Sequence, residues 1–427
     1  MKLWNKGTTT EALILDFTVG NDRELDLKLA KYDIQGSIAH ARMLNEIKII
    51  TDEEIALIIP ALDKLLKEVA SGSFTIEEEF EDVHSKVEFA LTEMVGECGK
   101  KIHTARSRND QVLVDLHLYA KDELQEIKEL ISSLFNTLMD LAETHKEEIL
   151  PGYTHTQVAM PSSFGLWFSA YAECLIDDLQ FVNAALKIAD QNPLGSAAGF
   201  GSSFPIDRER TTELLGFSEL KVNSVAAQMS RGKLEKSVAF ALASISGTLS
   251  KLSADICLYM CQNFGFIGFP KHLTTGSSIM PHNHNPDVFE LVRAKSNQIQ
   301  NLPAEIGWIT NNLTSGYHRD FQQLKEAFMN GLDSVKQNLE VTYYMLQHIE
   351  IKSQVKENDM YDDMYSVERL NELVIQGQSF REAYKQVGNE IESGTYTANK
   401  MLDHTHIGSL GNLRLDLIKA KHIEVQQ

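Results

Sequence analysis

Cysteine is scarce in this chain: its 427 residues hold four, Cys98, Cys174, Cys257 and Cys261. The last two are separated by three residues within a helical pattern, with no paired histidines nearby. They read as reduced core thiols, not as a disulfide frame or zinc site. Positive charge is also short. Forty Lys and Arg against sixty Asp and Glu leave a net charge of −20, which repels nucleic acid and anionic membranes. Cations that serve an anionic ligand must therefore be gathered at one place. Long apolar runs are missing too. The opening MKLWNKGTTT has no signal-peptide stretch, and no later window offers the uncharged length of a membrane span. The expectation is a cytoplasmic, reducing location with no nucleic-acid or membrane partner.

Proline is rare as well, nine in all, with none between Pro60 and Pro151, between Pro205 and Pro270, or after Pro303. Long helices are free to form there. Leu124, Ile127, Ile131, Leu134, Leu138 and Leu141 alternate three and four apart, an apolar seam on one helix face. Val238, Leu242, Ile245, Leu249, Leu252, Ile256 and Tyr259 repeat the spacing with mostly Ala, Ser and Gly between, which predicts a more deeply buried helix. A third seam runs from Phe321 through Leu324, Phe328, Leu332, Val335, Leu339 and Leu346 to Ile349. Helices of roughly 25 to 35 residues predict an elongated bundle packed at shallow angles. Such a bundle is thin, and copies of itself cover its flanks most simply, so a symmetric homo-oligomer is expected. The chain reads as mainly α in three domains: an N-terminal helical domain over residues 1–110, a central long-helix bundle over 111–353, and a C-terminal helical domain over 354–427.

Four segments break the helical pattern with small and polar residues, as a ligand site on a helical scaffold requires. HTARSRNDQ at His103–Gln111 carries Arg106 and Arg108 beside Asn109, the makings of a carboxylate clamp or of a surface ion-pair cluster. GYTHTQ at Gly152–Gln157 offers Thr154 and His155 just after a Pro-Gly turn, where an imidazole can exchange protons near neutral pH. PLGSAAGFGSSFPIDR at Pro193–Arg208 either brings backbone N–H groups to an anion or permits a tight helix crossing. TTGSSIMPHNHNPD at Thr274–Asp287 is a hydroxyl-bearing loop whose Pro286-Asp287 step suits a helix start, and the helix then carries Glu290.

Taken together and in this order, the segments resemble the fumarase and aspartase superfamily, and within it the argininosuccinate lyases. The superfamily loop, GSS, any residue, MP, any residue, K, any residue, N, stands here as GSSIMPHNHN from Gly276 to Asn285. KLW at Lys2–Trp4, LAKYDIQGSIAHARML at Leu29–Leu44, EDVH at Glu81–His84 and SRNDQ at Ser107–Gln111 are similar to the argininosuccinate branch. The resemblance covers nearly the whole chain. It implies a three-domain fold with a central long-helix bundle, a homotetramer whose active sites draw on three subunits, and reversible elimination of argininosuccinate to arginine and fumarate. No metal or organic cofactor is implied.

By motif match the resemblance makes Ser277 the base that takes the carbon-bound proton, His155 the proton-transfer histidine and Glu290 the carboxylate that orients it. It assigns Ser107, Arg108 and Asn109, with Thr154, to the succinyl carboxylates. Tyr317, Gln322 and Lys325 fall at positions contacting the arginine half. Asp26, His84 and Arg231 fall near the pocket, and Asn283 and Asn285 are the loop's own contact positions.

One departure bears on mechanism. Asn283 stands where the loop motif has its lysine, and His284 follows. A neutral serine is a poor base, and nearby positive charge is what makes it a better one. Loss of one such electrostatic contact typically costs ~10²–10³ in rate. His282, His284, Lys325 or Arg108 can supply charge instead, which predicts a weaker lyase with an acid-shifted pH profile. The alternatives are an inactive paralogue that keeps the fold, or a lyase for a related succinyl-type substrate. Ala105, where relatives usually carry Gly before RSRND, is a milder departure.

Overall fold

Each apolar seam falls on one long helix in the computed structural model, which describes residues 12–352 and 355–426. The KLW motif at Lys2–Trp4 lies outside the described residues. Helix Arg108–Thr144 carries the first seam, with Leu124, Ile127, Ile131, Leu134 and Leu138 fully buried. Helix Lys233–Met260 carries the second and is exposed only at Lys233, Phe240, Lys251 and Leu258. That is the deeper burial its small spacer residues predict. The third seam is shortened at its start: Arg319–Gln323 is a 3₁₀ turn and the α-helix spans Leu324–Leu346. There the Phe321 carbonyl accepts the Leu324 N–H in the 3₁₀ pattern and also a hydrogen bond from Arg231 Nη2 at 2.7 Å. A fourth long helix, Phe164–Ala189, buries Phe164, Phe168, Tyr171, Leu175, Leu179 and Val182 along one face.

The chain divides into two compact units, with boundaries that fall inside the long helices. The first comprises residues up to Ile127, Phe181–Ala243 and Ile299–Ser334. Its core includes Ile34, Leu44, Ile58, Leu62, Val83 and Leu91, from helices Ala30–Glu46, Asp52–Ala70 and Val83–Val95. Each such side chain contributes roughly 1.5–3 kcal/mol on burial. Thr51 and Glu54 form a capping box at the start of Asp52–Ala70, which fixes where that helix begins despite Pro60 inside it.

The second unit comprises Lys128–Gln180, Ser244–Gln298 and residues from Val335 onward. It holds an antiparallel hairpin, Ile149–Thr154 paired with Gln157–Ser163, and a small core of Leu370, Leu373, Ala383 and Val387 between two short helices. The other strands among the described residues are two-residue pairs, so the chain is mainly α. No described helix is long and apolar enough to cross a membrane.

Candidate active site

The SRNDQ segment is the N-terminus of the Arg108–Thr144 helix. Asp110 turns back on it: its Oδ1 accepts the Ser107 N–H at 2.8 Å, while Oδ2 accepts the N–H groups of Gly195 at 3.1 Å and Ala197 at 2.9 Å. The Gly-Ser-rich loop thus does bring backbone donors to an anion, and that anion is the protein's own carboxylate. Burial pushes the Asp110 carboxyl up to about 6 against these donors. Arg106 points inward, bonding Ile102 O at 3.1 Å and Ser37 Oγ at 3.0 Å. The two-guanidinium clamp therefore reduces to Arg108, because Arg106 is spent within the fold. Ala105, just before, adopts φ 61°, a conformation that favours glycine.

Arg108 and Asn109 open onto a cavity of about 170 Å³ in the first unit. It gathers eight of the sequence candidates: Asp26, His84, Arg108, Asn109, Arg231, Tyr317, Gln322 and Lys325. Ser107 sits beside it, its Oγ accepting the Asn109 N–H at 3.3 Å. Asp22, Glu81, Asp82 and Arg319 also line it, and sequence reasoning did not single them out. A signal for Asp22 was present, since it precedes Asp26 by one helical turn on the same face.

The pocket is strongly polarised. Buried Lys325 Nζ lies 2.7 Å from Asp26 Oδ1 and 2.8 Å from Asp22 Oδ1. Burial alone would lower the lysine's pKa, but the two carboxylates outweigh it and raise it, so the ammonium stays charged. Burial raises Asp22, with Lys325 opposing. Arg108 Nη1 is 3.2 Å from Glu81 and 3.1 Å from Asp82, and its Nη2 donates to Ser85 Oγ at 2.7 Å. Gln322 Nε2 donates to Thr18 O at 2.8 Å, fixing the entering chain at the pocket edge. Arg231 is held by Glu235 at 3.1 Å and by Phe321 O.

Behind this wall His84 Nδ1 bonds Asp33 Oδ1 at 2.6 Å, with Asp115 Oδ2 at 3.8 Å, all buried. Burial opposes a charged imidazole, yet Asp33, Asp115 and Asp82 prevail and push His84 up to about 9. These three residues have the spacing of metal ligands, their donor atoms within 4.8 Å of one another. Arg106 is close enough to act on both carboxylates, and burial beside Asp33 raises the Asp115 carboxyl well above its ordinary value, so these groups form one buried network of acids and cations.

The remaining candidates belong to the second unit, in two segments. Thr154 ends one hairpin strand, and His155 and Thr156 form a two-residue turn with φ 52° and 61°. Both central residues are left-handed, as this hairpin turn requires, and a β-branched Thr there is strained. The turn presents His155 to solvent. In the other segment, Thr275 and Asn285 pair across the loop mouth, Asn285 N donating to Thr275 O at 2.9 Å, and helix Asp287–Ile299 follows with buried Phe289 as its anchor. Ser277 Oγ accepts the N–H groups of Ile279 at 3.3 Å and Met280 at 3.1 Å. Donors aimed at that oxygen favour its ionised form. The Asn283 N–H donates to Met280 O at 3.1 Å, while its amide side chain, among the described residues, reaches only Met280 Sδ, at 3.7 Å. Glu290 is exposed, and among the described residues it shares no hydrogen bond with His155.

The helical scaffold has close counterparts among solved structures. It matches an EDDS lyase in complex with formate at TM-score 0.78 and 21% identity, over 98% of this chain and 92% of the other. It matches a class II fumarase from Schistosoma mansoni at TM-score 0.76 and 15% identity, over 89% and 88%. The fold is therefore of the fumarase and lyase type. Residues 7–301 match the family described as lyase. The chain is 52% identical to an argininosuccinate lyase of Parabacteroides distasonis over 98% of this chain and 94% of the relative, with the same figures for that of Bacteroides thetaiotaomicron. Identity to the Thermotoga neapolitana argininosuccinate lyase is 41% over 91% of this chain and 98% of the relative. This chain belongs to the argininosuccinate lyase family.

Proposed function

We propose that the protein is an argininosuccinate lyase of arginine synthesis, splitting argininosuccinate reversibly into arginine and fumarate. The observation that carries this reading is the two-sided pocket. Arg108 and Asn109, at the positive end of a 37-residue helix, suit carboxylates, and Asp22 and Asp26, two carboxylates on the one ammonium of Lys325, suit a cationic partner. A substrate with a dicarboxylate at one end and guanidino and amino groups at the other fits that division. The name shared by relatives with 52% identity supports it.

In the reaction a C–H bond and a C–N bond break and a C=C bond forms. Ser277 Oγ takes the proton beside the carboxylate, helped by the Ile279 and Met280 N–H groups. The carbanion's charge spreads into that carboxylate, where Ser107, Arg108, Asn109 and Thr154 stabilise it. His155 handles the proton that the departing guanidine nitrogen needs, with Glu290 of a partner copy as the carboxylate that orients it in the assembled site. Tyr317, Gln322 and Lys325 hold the arginine half, with Asp26, His84 and Arg231 shaping the wall, and Asn283 and Asn285 place the loop. We further propose a homotetramer in which partner copies complete each site. Exposed Phe181, Leu258 and Tyr344 on the long helices, with Leu291 and Trp308 on shorter ones, support it, because exposed large apolar side chains seek cover. A cytoplasmic location accords with four free thiols.

The test is product stoichiometry. Argininosuccinate incubated with the purified protein should yield arginine and fumarate in equal amounts, and Ser277→Ala should abolish both. Release of fumarate only from other succinyl compounds would assign a different substrate.

A further inference from the structure

A second cavity in the first unit, about 430 Å³, opens between the first turns of helix Lys233–Met260 and helix Leu302–Thr310 with its following loop. Its charged lining is cationic throughout: Arg231, Lys233 and Lys236, with no carboxylate among the described lining residues. In a chain with a net charge of −20 this is the reverse of the average surface. Glu235 pairs with Arg231 through Nε, and Phe321 O takes Nη2. The side-chain ammonium groups of Lys233 and Lys236 make no hydrogen bond or ion pair among the described residues.

The space for one of these cations is built in. A Cβ at Gly307 would stand 3.1 Å from Lys236 Nζ, so glycine there leaves the ammonium its seat. Lys233 opens a 28-residue helix, whose positive end adds to the field. Its charge already acts together with burial to lower the pKa of Lys221. Like charges held together without a counter-charge are costly, and an anion with two or more negative groups relieves that cost.

We propose that this cavity binds a small multivalent anion, a phosphate ester or polycarboxylate, at a site separate from the substrate pocket. Arg231 lines both cavities, which gives an anion held here a route to alter substrate affinity without taking the substrate's place.

Calorimetric titration of the purified protein with inorganic pyrophosphate, and separately with citrate, at constant ionic strength set by KCl, tests the proposal. Saturable binding of either probe, one per chain, is expected. It should weaken at least tenfold in Lys233→Gln/Lys236→Gln, persist in Lys233→Arg/Lys236→Arg, and persist in Arg108→Gln, which disables the substrate pocket. Pyrophosphate alone would mark a phosphate site, and citrate alone a polycarboxylate site; either supports the proposal. Binding lost in Arg108→Gln but kept in the double glutamine variant would overturn it, as would no saturable binding of either probe. Turnover plays no part in this readout, so failure of the lyase reading and failure of the anion site are distinguishable.

Discussion

The Asp110 carboxylate accepts the Ala197 N–H at 2.9 Å, joining the start of the Arg108 helix to a loop 87 residues away. The same carboxylate holds the Ser107 and Gly195 N–H groups, so one side chain sets the backbone that presents Ser107, Arg108 and Asn109. Asp110→Ala leaves three donors to find new partners, of which at least the Gly195 N–H is buried. Hydrogen bonds to charged groups contribute about 1.5–3 kcal/mol each, and buried donors left unmet cost a similar amount. The variant should lose about 3 kcal/mol or more, read from urea unfolding, and its affinity for fumarate should fall.

Ala105 offers the opposite case. At φ 61° its Cβ meets the steric penalty of the left-handed region, about 1–2 kcal/mol for an L-residue. Glycine removes that penalty but loses more freedom on folding. Ala105→Gly should therefore stabilise the protein by about 0.5–1 kcal/mol, visible as a raised melting temperature with turnover unchanged. A lowered melting temperature would show that the Ala105 methyl group makes packing contacts worth more than the strain.

His84 carries a pH signature. Its folded pKa of about 9 lies above the ordinary 6.5 because Asp33, Asp115 and Asp82 outweigh burial. A raised folded value means that the stabilisation is fully present below about pH 6.5 and is lost as pH rises through about 9. The gap corresponds to about 3 kcal/mol. Urea midpoints should fall between about pH 6.5 and 9, and in His84→Gln the fall should flatten while stability at the acid end drops. Parallel curves for parent and variant would refute this role.

Much of the fold was legible because apolar spacing of three and four survives wherever one face of a helix is buried. Leu124–Leu138 and Val238–Ile256 are buried as their spacing predicts. Phe164–Ala189 carries the same kind of seam, Phe164, Phe168, Tyr171, Leu175, Leu179 and Val182, and was readable on the same grounds. The hairpin around His155 was hidden: its turn is His-Thr instead of the Asn-Gly that marks such turns, and its strands contain Pro151 and Pro161. In the site, residue types were readable but partners were not. Arg106 and Arg108 look equivalent in SRNDQ, and only the fold turns one inward to Ser37 and the other to Glu81 and Asp82. Asp110 looked like part of a binding motif, and its work is to hold a distant loop, a contact that no local pattern encodes.

The loop that carries Ser277 holds the central claim. Its two backbone donors are in place, and Asn283 contributes no charge. The most direct measurement is fumarate release from argininosuccinate, followed by ultraviolet absorbance across pH, for the parent protein beside Asn283→Lys and Ser277→Ala. The account predicts turnover in the parent, a gain of ~10²–10³ in kcat with the lysine, an optimum for the parent on the acid side of the lysine variant's, and no turnover without Ser277. Absence of fumarate from both the parent and the lysine variant would contradict it.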